Sequence, residues 1–369
     1  MIAHANFRRS AAGLTWPLIV CAWLSCAPAV FSAEEPALLR DARKALGESI
    51  PEVAIQKLKT LLAVRVLPPE TRRAATLLLV ESLLAAKLHD EALATIDPLA
   101  TETDAEARLL RAHILADDGR WAEALPVYSE IAREPGSPTS ARIGQAEAFQ
   151  ALGQTMRALD ILEPLVRSGG APVPLQLRLA NLYVEAGRIA KARTLADAIE
   201  PGNLMDKQWL RYVHGRILLA DGRAPEAEAV FAGLLGNPKK LSDNLHAAST
   251  LAASQARIAV RGYEGADRPV ETFIWRNPTN AWLEVVFRHL DRIYAEQGRA
   301  EEDDLHKWSA RTPPRRAALA LFYVAKLQVR EAKRAKAGQS LQLFVEGYPN
   351  HHLLAEVHRM QADLRIAVA

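Results

Sequence analysis

The sequence predicts an all-α solenoid built from helix hairpins, and three observations lead to this fold class. Hydrophobic residues make up 49% of the 369 residues, which is enough to form a large buried core. Alanine and leucine carry much of that content and favour helices, whereas long alternating runs of valine and isoleucine are missing. Glycines also recur about every 34 residues between apolar segments, as in stacked helical hairpins.

The glycine spacing belongs to a longer repeat. Gly119, Gly153, Gly187 and Gly222 are 34, 34 and 35 residues apart, and other residue types keep fixed distances from them. Small side chains lie seven positions before each glycine, bulky ones four before, and alanine five after. These three columns are Ala112, Ala146, Ala180 and Gly215; Leu115, Phe149, Tyr183 and Leu218; and Ala124, Ala158, Ala192 and Ala227. Small residues let two helices approach closely, and glycine accepts the backbone conformation that ends the first helix.

A 34-residue helix–turn–helix with this order of small, large, glycine and small residues resembles the tetratricopeptide repeat (TPR). The match is specific over residues 104–238. The resemblance implies a right-handed superhelical solenoid of TPR-like hairpins, in which the first helix of each hairpin lines a concave groove. Lys87 stands at the turn position of an earlier hairpin, and residues 35–63 predict an initial, atypical one.

Towards the C-terminus the repeat loosens. Residues 241–276 predict a longer hairpin, and Gly298 marks the turn of a degenerate one. Residues 315–347 predict another hairpin, with its turn near 329–331. A last helix from about His351 to Ile366 would cover the exposed end of the stack, because each unit of a solenoid buries its apolar face only on its neighbours. We therefore expect about nine hairpins and a C-terminal capping helix.

The chain is expected to divide into a signal peptide at 1–32, a regular TPR-like array at 33–240, and degenerate repeats with the cap at 241–369. Arg8 and Arg9 precede a mostly apolar stretch, and small residues follow it, as in secretory signals. Cleavage after this segment is the favoured interpretation. A retained membrane anchor is the alternative.

Both cysteines of the chain, Cys21 and Cys26, lie in the predicted signal. The residues before them do not match the apolar-then-small pattern of a lipidated cysteine. A mature chain would therefore contain no thiol for a disulfide, a metal site or a nucleophile. Removing the signal would also leave 44 basic and 43 acidic residues, and this near-neutral balance disfavours nucleic-acid binding.

The resemblance places candidate ligand contacts on the first helices. Positions ten and six before each turn glycine face the groove in tetratricopeptide arrays, and here they carry mixed apolar and polar side chains suited to a peptide or a helix. The candidate groove residues are Leu109, His113, Ile143, Glu147, Leu177, Asn181, Tyr212 and Arg216. They lack the repeated lysine and asparagine set with which chaperone-binding members hold a C-terminal carboxylate. The alternative is that they are solvated or only touch neighbouring helices.

A second candidate surface is basic. Residues 307–336 contain nine basic side chains and one acid, Glu331. Such a segment predicts docking of an acidic protein, anionic lipid or acidic glycan, unless acids elsewhere in the fold neutralise it. The candidate patch consists of Lys326, Arg330, Lys333 and Arg334.

Motifs of catalytic chemistry are missing from the sequence. It contains no phosphate-binding loop, dinucleotide fingerprint, zinc-protease motif or serine-hydrolase elbow. His351 and His358 are two helical turns apart, too far to share one ion without other ligands. The acidic run at 301–304 is typical of a solvated helix start. We expect no enzymatic activity, no cofactor and no metal site.

One further segment resembles envelope proteins. Phe344, Tyr348 and Pro349 form the F-x-x-x-Y-P ending common in bacterial envelope repeat proteins, such as the lipoprotein of outer-membrane barrel assembly and the division coordinator linked to Tol–Pal. That resemblance covers one repeat and implies periplasmic protein–protein binding.

Export and the repeat together predict a non-enzymatic protein–protein adaptor in the periplasm or cell envelope, with envelope proteins as partners. The alternative is a scaffold in polysaccharide export or cell-wall assembly, which would bind a glycan or a transporter. A wall-active enzyme is a third possibility. The sequence leaves peripheral membrane or glycan association and the oligomeric state open.

Overall fold

The computed structural model describes residues 36–101, 104–280, 282–298, 302–310, 313–349 and 351–366. The predicted signal peptide lies outside these residues. The described chain contains 19 α-helices, one short 3-10 helix and no strand. It divides into two compact units, one ending at Leu165 and the other beginning at Val166. The predicted change in repeat regularity at residue 240 lies inside the second unit.

The first unit holds four hairpins. Their helices are α1 (Ala37–Gly47) and α2 (Pro51–Leu62), α3 (Pro69–Ala85) and α4 (His89–Ile96), α5 (Ala105–Asp117) and α6 (Trp121–Arg133), and α7 (Thr139–Ala151) and α8 (Thr155–Arg167). The last two residues of α8 belong to the second unit. The core is mainly aliphatic; Tyr128 is fully buried in it, and Trp121 packs against it.

The second unit holds five hairpins and a final helix. These are α9 (Val173–Glu185) and α10 (Ile189–Asp197), α11 (Leu204–Ala220) and α12 (Ala224–Leu235), α13 (Asp243–Arg261) and α14 (Arg268–Arg276), α15 (Leu283–Gln297) and α16 (Glu302–Ser309), α17 (Pro314–Arg330) and α18 (Arg334–Gly347), and α19 (Leu354–Ile366). The short 3-10 helix, Pro238–Lys240, precedes α13. The nine hairpins and the last helix confirm the predicted all-α solenoid.

Seven hairpins share one turn geometry. In each, a residue with positive φ follows the first helix, and the N–H of the next residue donates to the carbonyl five positions back, as from Arg120 to Leu115 at 2.8 Å. This pattern satisfies carbonyl groups that the helix end would leave without partners. The positive-φ residues are Ser49, Lys87, Gly119, Gly153, Gly187, Gly222 and Ala332. The turn of the last hairpin thus lies at 331–333, two residues beyond its predicted place.

The predicted small and alanine columns are buried where helices meet. Ala112, Ala146 and Ala180 are at most 1% exposed, and the four alanines after the turns are fully buried. At Gly215 an added Cβ would lie 2.7 Å from the Phe231 ring, so α11 and α12 approach too closely there for a larger residue. The last helix, α19, places Val357 in the core of the second unit and packs against α18, as a cap does.

Candidate functional site

In the first unit, the two predicted groove positions form a partly exposed surface. Counting back ten and six residues from the turns at Lys87, Gly119 and Gly153 gives Leu77 and Glu81 on α3, Leu109 and His113 on α5, and Ile143 and Glu147 on α7. These six are partly exposed except Glu147, which is 2% exposed. The turn at Ser49 gives Leu39, which is buried, and Arg43, which is exposed, on α1. We call the five partly exposed residues of α3, α5 and α7 the open columns: Leu77, Glu81, Leu109, His113 and Ile143.

His113 is neutral at physiological pH. Its ring lies 5.6 Å from the Tyr128 ring, between centroids, and burial lowers the pKa of its imidazole to about 4. Glu81 is also affected by its surroundings, since burial raises the pKa of its carboxyl above the usual value. The open columns therefore offer apolar side chains, the edge of one neutral histidine ring whose Nε2 is buried, and one carboxyl group to a ligand.

In the second unit, the same repeat positions are mostly buried. Leu177 on α9 has no exposed surface, Asn181 is 8% exposed and Tyr212 on α11 is 5% exposed. Arg216 retains 14% of its side-chain exposure. A ligand on this face would reach the edge of Arg216 before it reached the others, so the role of these four residues as ligand contacts stays a prediction.

Asn181, Tyr212 and Arg216 instead make contacts between α9 and α11. Arg216 Nη1 donates to Asn181 Oδ1 at 2.7 Å and to Glu185 Oε1 at 3.3 Å, and Asn181 Nδ2 donates to the same Glu185 oxygen at 3.0 Å. The Arg216 guanidinium lies 6.0 Å from the centroid of the Tyr212 ring. We call Asn181, Glu185, Tyr212 and Arg216 the polar bridge.

The electrostatics of the polar bridge follow from its burial. Burial raises the pKa of the Tyr212 hydroxyl, which keeps that group neutral. Burial disfavours the charged form of Arg216, but Tyr212 and Glu185 outweigh this effect, and the pKa of Arg216 is raised. The guanidinium is thus a permanent cation held by one carboxylate, one amide and one ring.

The sequence analysis did not identify three residues of the open columns and the polar bridge, namely Leu77, Glu81 and Glu185. Leu77 and Glu81 belong to the open columns because Lys87 keeps the turn position without being glycine. Glu185 lies one helical turn after Asn181, at the i+4 spacing that lets two side chains on a helix meet. That spacing was visible in the sequence and could have identified Glu185 as the acid that holds Arg216.

The predicted basic patch is largely paired within the fold. Lys326 Nζ lies 3.2 Å from Asp291 Oδ2, and Arg330 also binds the Asp291 carboxylate. Lys333 Nζ lies 2.6 Å from Glu331 Oε2. Arg334 is exposed at the start of α18. The acid that neutralises α17 therefore comes mainly from α15, and docking of an anionic partner on this patch stays a prediction.

A serine–histidine pair exists but does not form an accessible reactive site. His289 Nε2 lies 3.0 Å from Ser254 Oγ, and Ser254 donates to the carbonyl of Ala266 at 2.7 Å. Ser254 is fully buried, so a substrate could not reach its hydroxyl. Within the described residues, no three histidine, cysteine or acidic side chains are arranged to hold a metal ion. Nor does any described helix combine the length and apolarity needed to cross a bilayer.

Comparison with known sequences agrees with this architecture. The family model of the tetratricopeptide repeat matches residues 77–138 and 143–204. No curated protein matches the sequence. The chain contains tetratricopeptide repeats, and repeats of this family are in general non-catalytic scaffolds for protein–protein interaction.

Solved structures resemble the chain at low sequence identity. NprR in complex with its cognate peptide NprX is 17% identical, with a TM-score of 0.50 over 84% of this chain and 97% of that chain. The apo form of the quorum sensor NprR from B. thuringiensis is 16% identical, with a TM-score of 0.49 over the same shares of both chains. A tetratricopeptide repeat protein from Parabacteroides merdae is 12% identical, with a TM-score of 0.39 over 88% and 97%. Likeness at this level concerns the fold alone.

Proposed function

We propose that the protein is a non-enzymatic adaptor of the bacterial cell envelope, and that it binds a segment of a partner protein on the open columns of the first unit. The observation that carries the proposal is the partial exposure of five repeat positions on three successive first helices. Elsewhere in the described chain the same repeat positions include fully buried residues such as Leu177.

The chemistry of the open columns defines the ligand. Leu77, Leu109 and Ile143 supply apolar contacts, one from each first helix. Glu81 supplies a hydrogen-bonding group beside them, and the neutral His113 ring, whose Nε2 is buried, supplies a ring contact. A peptide or helix with apolar side chains at regular intervals would bury those contacts while its polar groups reach Glu81. A strongly basic or acidic ligand would find one carboxylate and no arginine or lysine among these five residues.

The envelope location rests on the sequence of residues 1–32, whose basic start, apolar stretch and small residues are typical of an export signal. Fractionation of cells that express the tagged full-length chain would test it. Recovery outside the cytoplasm with a shortened N-terminus is the expected result. A full-length chain retained in the cytoplasm would contradict this aspect of the proposal.

Site-specific photo-crosslinking tests the binding surface. A photo-reactive benzoylphenylalanine replaces Leu109 in one variant and Met156 in a control, in cells that naturally make the protein. Met156 is a matched control because it is apolar, lies on the second helix α8 and is 51% exposed. We expect a discrete cross-linked protein from position 109 and none from position 156.

The identity of the captured molecule discriminates between roles. A single envelope protein, cross-linked at 109 and not at 156, supports the adaptor. Equal cross-linking at both positions would argue against a defined groove. Recovery of glycan or of polysaccharide-export components at 109 would replace the adaptor with the alternative scaffold in export or wall assembly.

A further inference from the structure

The second unit contains an open trough away from the first-helix groove positions. It is lined by α12, α13 and α14, and its volume is about 430 Å³, within the usual range of small ligand sites. Two of these three helices, α12 and α14, are second helices of their hairpins. The trough is therefore a different surface from the open columns and from the polar bridge.

The trough exists because the α13–α14 hairpin departs from the repeat. Three residues, 221–223, separate α11 from α12, whereas six residues, 262–267, separate α13 from α14. Helix α13 is 19 residues long, but α14 has only nine. Second helices of eight or nine residues also occur as α4, α10 and α16, so the long connection is what sets this hairpin apart.

One arginine fixes the walls of the trough. Arg257 Nε on α13 donates to Glu228 Oε1 on α12 at 2.9 Å, and its Nη1 donates to the carbonyl of Gly265 at 3.3 Å. Arg257 therefore holds α12 and the long connection against α13. Glu228 is also 3.8 Å from Arg261, so its charge is already balanced by two arginines.

Two further arginines line the trough and project from α14. Arg268 and Arg276 are exposed, and neither has an ion-pair partner among the residues that the structure describes. The remaining titratable group of the lining is His246, where burial lowers the pKa and Asp243 partly opposes the shift. The lining thus carries three arginines against Glu228 alone, an excess of two positive charges.

The two unpaired arginines lie at opposite ends of α14. Residues 268, 269, 272, 273 and 276 line the trough and lie on one face of α14. Eight residues of helix place Arg268 and Arg276 about 12 Å apart along its axis. The lining also includes Ala232, Leu235 and Pro269, which are at least partly exposed and offer no hydrogen-bonding side chain, and the exposed Thr272 lies midway between the two arginines on α14. The trough therefore combines two cationic ends with a largely apolar lining.

This arrangement matches an extended acidic peptide. An extended chain advances about 3.3 Å per residue, so two side chains four residues apart are about 13 Å apart and point to the same side. The residue midway between them also points to that side. We propose that the trough binds an extended segment of a partner protein, with carboxylates at positions i and i+4 on Arg268 and Arg276 and an apolar side chain at i+2 towards the apolar lining residues Ala232 and Leu235.

The trough site goes beyond the proposed adaptor surface, and its test is separate. Fluorescence anisotropy would measure binding of a labelled, end-capped five-residue peptide with glutamate first and last and leucine in the middle to the full-length chain. A peptide with glutamine in place of both glutamates is the ligand control. We expect the acidic peptide to bind at least about tenfold more tightly than the glutamine peptide. Its binding should weaken when salt rises from about 0.05 to about 0.5 M, because the ionic screening length shortens.

Variants localise the binding. Arg268→Gln and Arg276→Gln should each weaken binding of the acidic peptide by about tenfold, because each removes one charge-assisted contact. Arg359→Gln is the matched control, since Arg359 is an exposed arginine on α19 outside the trough, with 72% of its side chain exposed. Binding of the peptide should change less than about twofold in that variant. Circular dichroism would show that all three proteins remain folded.

Three outcomes would overturn the proposal. One is no binding of the acidic peptide to the unmodified chain. Another is equal weakening by Arg359→Gln and Arg276→Gln, which would indicate general charge attraction. The third is equal affinity for the peptide and for free suberate, an eight-carbon dicarboxylate, which would assign the trough to a small anion. The photo-crosslinking test at position 109 can succeed or fail independently of each of these three outcomes.

Discussion

The two units use the same repeat positions differently. In the first unit, positions ten and six before the turn carry leucine, isoleucine, arginine, glutamate and histidine, and most are at least partly exposed. In the second unit, Tyr212 and Arg216 occupy these positions on α11. Their side chains reach Asn181 and Glu185 on α9 and cover that face. The repeat position therefore does not by itself determine how exposed a residue is. Exposure also depends on whether the side chain is long enough to contact a partner residue on the preceding first helix.

The second unit repeats this arrangement once more. Lys326 lies six positions before the turn residue Ala332, as Arg216 lies before Gly222. Its Nζ is 5.7 Å from the centroid of the Phe322 ring, four residues earlier, and 3.2 Å from Asp291 on the preceding first helix. A cation on an aromatic ring thus joins neighbouring first helices at two places. The predicted basic patch therefore includes a structural joint of this kind.

Removing Arg216 should cause the largest loss of stability. Arg216→Ala would leave the Glu185 carboxylate, 10% exposed, without its cation, and breaking such a buried pair costs about 3 kcal/mol. Glu81→Ala, at the same repeat position in the open columns, should cost less than about 0.5 kcal/mol, because burial already disfavours its charge. Urea unfolding followed by circular dichroism would measure both. Equal losses would show that the two units do not differ in this way.

Acid should destabilise both units through a buried histidine. The pKa of His113 in the first unit and of His289 in the second are each lowered to about 4, chiefly by burial. In the unfolded chain each histidine takes up a proton near pH 6.5, whereas in the folded chain it does so only near pH 4. The free energy of unfolding is therefore highest above pH 6.5 and falls as the pH decreases from 6.5 to 4. Each histidine contributes a slope of about 1.4 kcal/mol per pH unit in that window.

Substitution of one histidine separates its contribution to the pH dependence of stability from that of the other. His289→Gln removes one titrating ring while keeping a group that can bond to Ser254. The urea midpoint of this variant should fall less between about pH 7 and about pH 5 than that of the unmodified chain. An identical fall in both proteins would show that His289 takes up its proton in the folded state.

Each unit also contains one close approach of an aromatic ring to a glycine. An added Cβ at Gly144 would overlap the Tyr128 ring, and one at Gly215 would meet the Phe231 ring at 2.7 Å. Both rings are fully buried. Overpacking of about 2–3 kcal/mol, offset by about 1 kcal/mol of helix propensity, predicts a net loss of about 1–2 kcal/mol for Gly144→Ala and Gly215→Ala.

The control for these two variants lies on α18. An added Cβ at Gly338 would meet no atom within 4 Å. Gly338→Ala should therefore gain up to about 1 kcal/mol from helix propensity alone. Thermal unfolding of the three variants would compare them directly. A loss at Gly338 equal to that at Gly215 would mean that the backbone, and not the ring contact, sets the cost.

The sequence predicted the hairpins because their turns are local. In seven hairpins the turn needs one residue with positive φ and one hydrogen bond to a carbonyl five positions back, and in four of them glycine at a fixed spacing signals both. The burial of Leu177 and Tyr212 could not be predicted from the local sequence, because it depends on which side chains of a neighbouring helix pack against them. The trough also escaped prediction, since it depends on a six-residue connection in place of three.

The last hairpin shows where the local signal fails. Its turn was placed near 329–331 because no glycine marks Ala332, which adopts a φ of 57°. That shift of two residues hid the correspondence between Lys326 and Arg216. A turn that works without glycine is possible because the left-handed conformation costs an alanine only about 1 kcal/mol.

Exchanging glycine and alanine between these turns should give the smallest effects, of opposite sign. Ala332→Gly should stabilise the chain by about 1 kcal/mol, because glycine adopts the left-handed conformation without strain. Gly222→Ala should destabilise it by a similar amount, since Gly222 has a φ of 79° and an added Cβ there would meet no atom within 4 Å. The change therefore isolates backbone strain from packing. Urea midpoints that move in the same direction for both variants would show that the two turns, despite their shared hydrogen-bond pattern, are not equivalent.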